Sequence, residues 1–233
     1  MDGSLSGRSP APRPLGPADE DRLRQALADL HEPDAALRRL AAQYLGRLVD
    51  ARALPHLVAA ASDPDRAVRH AALEALVSFG REALGALVQA LGDPQPAVRL
   101  AALQGIFRVG GEGTENIFLD QARSESALIR RRSLLYLGLT GSSEARQAVL
   151  YGLRDPAAEV RRAAVFALAA LSGKEAGGRL VAALDDGDAG VRRQAVKALE
   201  GLFGRDPQRQ GPQAELRWKC WWQTRPPKGK EAN

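Results

Sequence analysis

The sequence is poor in cysteine and aromatic residues, and it has no long apolar run. A single cysteine, Cys220, excludes an internal disulfide and a cysteine-rich metal site, and it fits a reducing compartment. The longest uncharged apolar run, residues 163–173, is far shorter than the roughly 18 to 20 residues that a membrane-spanning helix needs. The first 17 residues lack the apolar core of a signal peptide. These absences predict a cytoplasmic protein with no membrane partner.

Motifs that mark common catalytic and cofactor sites are also missing. The chain has no phosphate-binding loop, no Cys-x-x-Cys pair and no nucleophile elbow. Its three histidines, His31, His56 and His70, do not form a metal-ligand set. We therefore expect no enzymatic activity and no bound cofactor or metal.

A short motif recurs along most of the chain. It reads Asp-Pro-x-x-x-Val-Arg-x-Ala-Ala-x-x-Ala-Leu at residues 63–76 and 155–168, with near copies at 93–106 and 186–199. The arginines of its apolar-Arg pair are separated by 31, 30, 31, 31 and 31 residues: Arg38, Arg69, Arg99, Arg130, Arg161 and Arg192. A constant period of this length indicates an array of structural repeats.

Each repeat is predicted to contain a short helix followed by a longer one. The first helices are expected at about 18–30, 53–61, 81–91, 114–123, 143–153 and 174–184, and the second at about 34–49, 66–79, 96–109, 126–140, 157–171 and 188–203. The Asp-Pro aspartate is predicted to cap the second helix, with proline in its first turn. Left-handed glycines are predicted near the ends of second helices: Gly46, Gly80, Gly110, Gly138 and Gly173.

The repeated motif resembles HEAT repeats of the short bacterial type, which also occurs in phycobilisome lyase subunits, over about residues 22–204. The resemblance implies an all-α fold, a right-handed α-solenoid of six two-helix repeats whose second helices line the concave face. We predict three parts of the chain: a disordered leader at residues 1–17, the repeat domain at 18–204, and a basic, tryptophan-rich tail at 205–233 with a short helix.

The period also suggests a structural role for the recurring arginine. In similar repeats it contacts the turn aspartate of a neighbouring repeat, and such aspartates occur at Asp63, Asp93, Asp155 and Asp186. A charge-assisted hydrogen bond at each joint would help to set the stacking angle. The alternative is that the arginine column forms a basic binding surface.

Candidate binding residues lie one position after this arginine and one helical turn further on, away from the buried stripe. Arg131, Arg162, Arg193 and Lys197 are the candidates for contacts with acidic groups. Leu100, Leu135 and Phe166 are the candidate apolar anchors, because exposed apolar residues among arginines are typical of interface centres. The alternative is an ordinary solvated face.

The fourth repeat departs from the motif. Ser124 and Glu125 replace Asp-Pro, while Arg132 and Tyr136 occupy positions that usually hold small residues. This irregularity is consistent with a bend, a contact site or sequence drift.

The tail contains all three tryptophans, Trp218, Trp221 and Trp222, at a spacing that puts them on one face of a helix. We predict that they cap the last repeat, which has no following neighbour. The alternatives are a partner anchor, or a nucleic-acid contact that also uses four basic residues: Lys219, Arg225, Lys228 and Lys230.

Together these features predict a monomeric, non-enzymatic scaffold that binds a protein with acidic groups through its concave face. One alternative, which rests on the repeat resemblance, is a bilin lyase-like subunit or a chaperone of chromophore proteins. Another is a nucleic-acid-binding protein that uses the basic tail.

Overall fold

A computed structural model describes residues 16–204 and 213–224, and these residues form helices without any strand. Contacts divide the chain into two compact units, Met1–Gly111 and Glu112–Asn233. The division falls in the glycine-rich segment before the irregular fourth repeat. Residues 1–15 of the predicted leader, and residues 205–212 and 225–233 of the predicted tail, lie outside the described part of the chain.

The first unit contains three two-helix repeats. Its helices are α1 (Pro17–Asp29), α2 (Ala35–Leu48), α3 (Leu54–Ala60), α4 (Arg66–Leu76), α5 (Leu84–Gln89) and α6 (Pro96–Val109). Short 3₁₀ segments adjoin the first helices at Ala51–Ala53, Val77–Ala83 and Ala90–Gly92. The second helices stack side by side, with α2 against α4 and α4 against α6.

The second unit contains three further repeats and the terminal helix. Its helices are α7 (Thr114–Gln121), α8 (Ala127–Leu137), α9 (Ser143–Gly152), α10 (Ala158–Ser172), α11 (Gly177–Ala182), α12 (Ala189–Phe203) and α13 (Ala214–Gln223), with 3₁₀ segments at Gly173–Ala176 and Ala183–Asp185. Helix α10 packs against both α8 and α12, and α13 packs against α11 and α12. The predicted all-α fold of two-helix repeats is confirmed.

The apolar stripe of each second helix forms the core between repeats. In α4, Val68, Ala72 and Leu76 are fully buried, and in α10 Val160 and Ala164 are equally inaccessible. These residues are spaced by four positions, so they lie on one side of their helix. Each repeat therefore covers apolar surface that a single helix pair would expose to water.

The predicted role of the Asp-Pro aspartate as helix cap is wrong. Helix α4 is capped by Asp65, which accepts hydrogen bonds from the backbone N–H groups of Ala67 and Val68. Asp63 lies two residues earlier and accepts the N–H of Asp65 at 2.7 Å, in a turn before the helix. The proline that follows Asp63 is consequently outside the first helical turn, and the Asp63 carboxylate remains available to another repeat.

The predicted left-handed glycines fall into two groups. Gly110 and Gly173 end α6 and α10 with φ of 63° and 49°, as expected, and Gly80 has φ of 60°. Gly46 and Gly138 do not adopt this conformation, and Gly138 has φ of −59°. They serve close packing instead, because a Cβ on Gly46 would lie 2.5 Å from the Ala75 Cβ and one on Gly138 would lie 2.8 Å from the Ala167 Cβ.

Gly46→Ala should therefore destabilise the first unit. The new methyl would also lie 2.6 Å from the Ala75 Cα, so α2 and α4 would have to separate. We expect a loss of about 1–3 kcal/mol in the free energy of unfolding, as for other overpacked cores. The control is Gly85→Ala in α5, where a Cβ meets nothing within 4 Å and alanine favours the helix. Urea denaturation that ranked the two variants equally would contradict this packing argument.

Candidate partner-binding face

Four of the recurring arginines make bidentate contacts to the turn aspartate of the next repeat. In each pair Nε and Nη2 donate to the two carboxylate oxygens, over distances of 2.6–3.1 Å: Arg38 with Asp63, Arg69 with Asp93, Arg130 with Asp155, and Arg161 with Asp186. The remaining nitrogen, Nη1, donates to carbonyl groups in the arginine's own turn. Each arginine thus links the turns of two successive repeats.

These contacts change the acid–base properties of the aspartates. Hydrogen bonds from Arg130 and Arg161 hold the pKa of Asp155 and of Asp186 below the usual value of 3.8, although burial opposes the shift. The same hydrogen bonds raise the pKa of the partner arginines, Arg130 and Arg161. The charged forms of both partners are therefore the stable forms in the fold.

The other two recurring arginines, Arg99 and Arg192, do not pair with a turn aspartate of the described residues. Arg99 donates to the carbonyls of Asp93 and Pro94 but to no carboxylate of the described residues. Arg192 contacts both oxygens of Glu215 in α13, each at 3.1 Å. The terminal helix thus supplies the carboxylate that a seventh repeat would offer, and the sequence analysis missed this pair.

The candidate binding residues of the second unit lie on three neighbouring second helices. Arg131 is on α8, Arg162 on α10, and Arg193 and Lys197 on α12. All but the half-buried Arg131 are exposed, and none of the four forms an ion pair with a described residue. Because α10 packs between α8 and α12, the same position on each helix is separated by roughly the 8–10 Å between packed helix axes.

The candidate apolar anchors are placed less uniformly. Phe166 on α10 is 51% exposed, whereas Leu135 on α8 is half-buried. Leu100 is half-buried on α6 of the first unit, so it is not grouped with the others. Arg162 reaches towards the start of α12, where its Nη1 lies 3.2 Å from the position of a Cβ on Gly190. The patch is therefore defined as Arg131, Arg162, Phe166, Arg193 and Lys197.

In the fourth repeat, the two oversized residues fill space around its own helices. The Tyr136 ring lies 5.0 Å from that of Phe118 on α7, and burial raises the pKa of Tyr136 while Arg132 opposes the shift. The Nε of Arg132 is buried without a hydrogen-bond acceptor in the described part of the chain.

Helix α13 brings its tryptophans onto the sixth repeat. Trp218 is fully buried, and the Phe203 ring of α12 lies 5.4–6.4 Å from the rings of all three tryptophans. Gly177 at the start of α11 leaves no room for a Cβ beneath the Trp222 ring. Lys219 also contacts Asp185. The basic residues further along, Arg225, Lys228 and Lys230, lie beyond the described residues.

Comparison with known families agrees with this architecture. Three segments of the chain match the family model for HEAT repeats, residues 20–106, 84–155 and 147–210. The chain belongs to the HEAT-repeat family. A search of curated proteins finds no match.

Several solved structures are similar to this HEAT array. The CpcE–CpcF complex of phycocyanin lyase from Nostoc sp. PCC7120 is 24% identical, with a TM-score of 0.54 over 86% of this chain and 82% of that chain. The condensin Cnd3–Cnd2 subcomplex of S. pombe is 21% identical, with a TM-score of 0.56 over 77% of this chain and 27% of that chain. An engineered protein is 21% identical, with a TM-score of 0.50 over 78% and 96% of the two chains. At these identities the likeness shows the fold alone.

The first helices of the second HEAT unit form a surface that sequence reasoning missed. Tyr151 on α9 is 76% exposed and lines two grooves, of about 530 and 600 Å³, towards α11 and α7 respectively. Exposed arginines border them: Arg123, Arg154 and Arg179. The repeat pattern could not predict this surface, because the exposure of a single tyrosine on a first helix depends on how the neighbouring first helices pack.

Neither a metal-ligand cluster nor a membrane-spanning helix is found in the part of the chain that the structure describes. Among residues 16–204 and 213–224, no three His, Cys, Asp or Glu side chains gather as metal ligands. His31 and His56 stack edge to face at 6.0 Å, which is a packing contact. Within the same ranges, no helix is long and apolar enough to cross a bilayer.

Proposed function

We propose that this HEAT-repeat chain is a non-enzymatic, cytoplasmic scaffold that binds an acidic protein segment through the second-helix face of residues 112–233. The supporting observation is the patch on α8, α10 and α12, where cations without an ion-pair partner among the described residues lie on the same helices as an exposed phenylalanine or on neighbouring ones. Arginine and aromatic side chains are enriched where interfaces gain most of their binding energy. A preformed helical surface also binds with little loss of conformational entropy.

The net charge is distributed unevenly along the chain. The second unit has 20 Lys and Arg against 15 Asp and Glu, whereas the first unit has 13 of each. Of the net +5 of residues 112–233, +4 lies in the tail at residues 205–233, and residues 112–204 carry only +1, so the acidic ligand is inferred from the patch itself. In an extended segment alternate side chains share a face at intervals of about 6.6 Å, so acidic residues two or four positions apart could both face arginines on helices roughly 10 Å apart.

Reversing the three arginines of the patch should abolish this binding. We expect that the Arg131/Arg162/Arg193→Glu variant loses the partners that the native chain captures from lysate, because acidic groups would face like charges. The matched control reverses Arg123, Arg154 and Arg179, which lie in the same unit on the first-helix side and change the net charge equally. Recovery of the same partners by the patch variant, or equal loss by both variants, would refute the proposed face.

The excess of positive charge also suits a nucleic acid. A cradle for DNA or RNA would bind through phosphate contacts, so its affinity should fall steeply between 50 and 200 mM salt, by about 10³-fold or more for six or more contacts. Fluorescence anisotropy with a short oligonucleotide separates the two cases. Tight binding with that salt dependence would favour a nucleic acid over a protein partner. The likeness to phycocyanin lyase subunits is one of fold, and it supports no bilin chemistry here.

A further inference from the structure

We propose that the N-terminal face of the first repeat is an open repeat joint, which binds an arginine-bearing amphipathic helix of a partner protein. This surface lies on α2 in the first unit, and it is distinct from the arginine patch of the second unit. Its chemistry can be inferred because the same face is occupied in other repeats of each unit, where the occupant is seen.

The apolar stripe of α2 is uncovered. In α4 the residues at the first and fourth positions of this stripe, Val68 and Ala71, are 0% and 2% exposed. The equivalent residues of α2 are Leu37 and Leu40, which are 44% and 50% exposed, and Tyr44 one turn further is half-buried. The exposed stripe is thus also built from larger apolar side chains than its buried counterparts.

An unused acceptor lies beside this stripe. Asp63 precedes Val68 by five residues and accepts two hydrogen bonds from Arg38 of the preceding repeat. Glu32 precedes Leu37 by the same five residues. Its side chain is exposed and makes no hydrogen bond or ion pair to a described residue, although its backbone carbonyl accepts from Arg38. The joint therefore has its carboxylate, and no arginine of the described residues contacts it.

Other repeats show what fills such a joint. The stripe of α4 is covered by α2, and that of α10 by α8, in each case by the second helix of the repeat before. That helix donates an arginine to the turn carboxylate and approaches through small residues, as Gly46 does against Ala75 and Gly138 against Ala167. The occupant should therefore be an amphipathic helix with small packing residues and one arginine aligned with Glu32.

The chain's own last repeat does not provide this occupant. Its donor, Arg192, is already paired with Glu215, and its apolar end is covered by Trp218 of α13. One end of the array is thus closed by the chain itself, while the described residues leave the other end open. A partner protein supplies the missing helix.

A peptide with the sequence of residues 34–48, which spans α2, is a suitable probe because α2 fills the equivalent joint before α4 with Arg38 and the small residue Gly46. We expect it to shift the methyl NMR signals of Leu37 and Leu40 in the full chain in a saturable manner. Removing the arginine from the peptide (Arg38→Met) or the acceptor from the chain (Glu32→Gln) should each weaken binding about tenfold, as expected for a charge-assisted bidentate contact. Pairing Glu32→Arg in the chain with an Arg38→Glu peptide should restore it.

The matched control is Glu82→Gln, which removes an exposed carboxylate elsewhere in the same unit and should leave peptide affinity unchanged. Absence of saturable shifts would overturn the proposal, as would binding that is insensitive to Glu32 and Leu40→Ser. If Arg8→Ala or Arg13→Ala alone shifted the Leu37 and Leu40 signals, the occupant would be the chain's own N-terminal segment, and the proposal of a partner helix would fail.

Discussion

Trp218→Ala should lower the free energy of unfolding by about 3–5 kcal/mol, the range for a fully buried aromatic residue replaced by alanine. Trp218 is 0% exposed, and the Phe203 ring lies 6.4 Å away on α12. The substitution would leave a cavity between α13 and the sixth repeat and weaken the cover over its apolar end. Chemical denaturation followed by far-UV circular dichroism measures the loss.

Leu216→Ala is the matched control for this experiment, since Leu216 lies on the same helix but is 59% exposed. We expect a change within about 0.5 kcal/mol for it. The same experiment distinguishes a tail that caps the last repeat from one that anchors a partner. If Trp218→Ala left unfolding unchanged but reduced capture of partners, α13 would be a partner anchor and the cap interpretation would fail.

Arg69→Met should cost about 3 kcal/mol, the lower end of the range for removing one partner of a buried ion pair. The Arg69 and Asp93 side chains are only 11% and 7% exposed, so the substitution leaves a shielded carboxylate without its guanidinium. Methionine retains the apolar stem of the arginine, which limits the effect to the lost charge and hydrogen bonds. Urea denaturation at pH 7 compares the variant with the native chain.

Arg99→Met is the matched control for Arg69→Met, because Arg99 occupies the same position in the next repeat. Arg99 makes the same kind of hydrogen bonds to turn carbonyls as Arg69, but it contacts no described carboxylate. We expect a loss of about 1 kcal/mol, the net value of ordinary hydrogen bonds. Equal effects of the two substitutions would show that the ion pair adds nothing to the joint.

The pH dependence gives an independent check on the same pair. Burial tends to raise the pKa of Asp93, but hydrogen bonds from Arg69 and the Gln95 N–H outweigh it, and the pKa falls below its usual 3.8. A group with a lowered pKa in the fold stabilises it above its usual pKa, and the stabilisation is lost as pH falls through the lower, folded value. The deficit of Arg69→Met should therefore be largest at neutral pH and shrink below about pH 3.8.

Much of the fold could be predicted because its signals are local and repeated. The apolar-Arg pair gives the period, and the stripe around residues such as Val68 and Val160 marks which side of each second helix is buried. Helix α6 was predicted at 96–109 and observed there, and α12 differs by one residue at its start. The helix caps were misplaced by two residues, because Asp63 and Asp65 are equally good cap residues by type and only the turn geometry separates them.

The binding surfaces were less predictable, since exposure depends on what packs against each helix. The 31-residue repetition was enough to predict the helix pairs and the buried side of each second helix, while the resemblance to HEAT repeats implied that Arg38, Arg130 and Arg161 contact turn aspartates of neighbouring repeats. Three features depend on the three-dimensional packing. Arg192 pairs with Glu215 of the terminal helix, which lacks the repeated motif. Leu37 and Leu40 remain exposed, and Tyr151 lies between two grooves. The physical reason is that a repeat sequence specifies the same contact for every unit, whereas the ends of an array have different neighbours, which only the folded chain reveals.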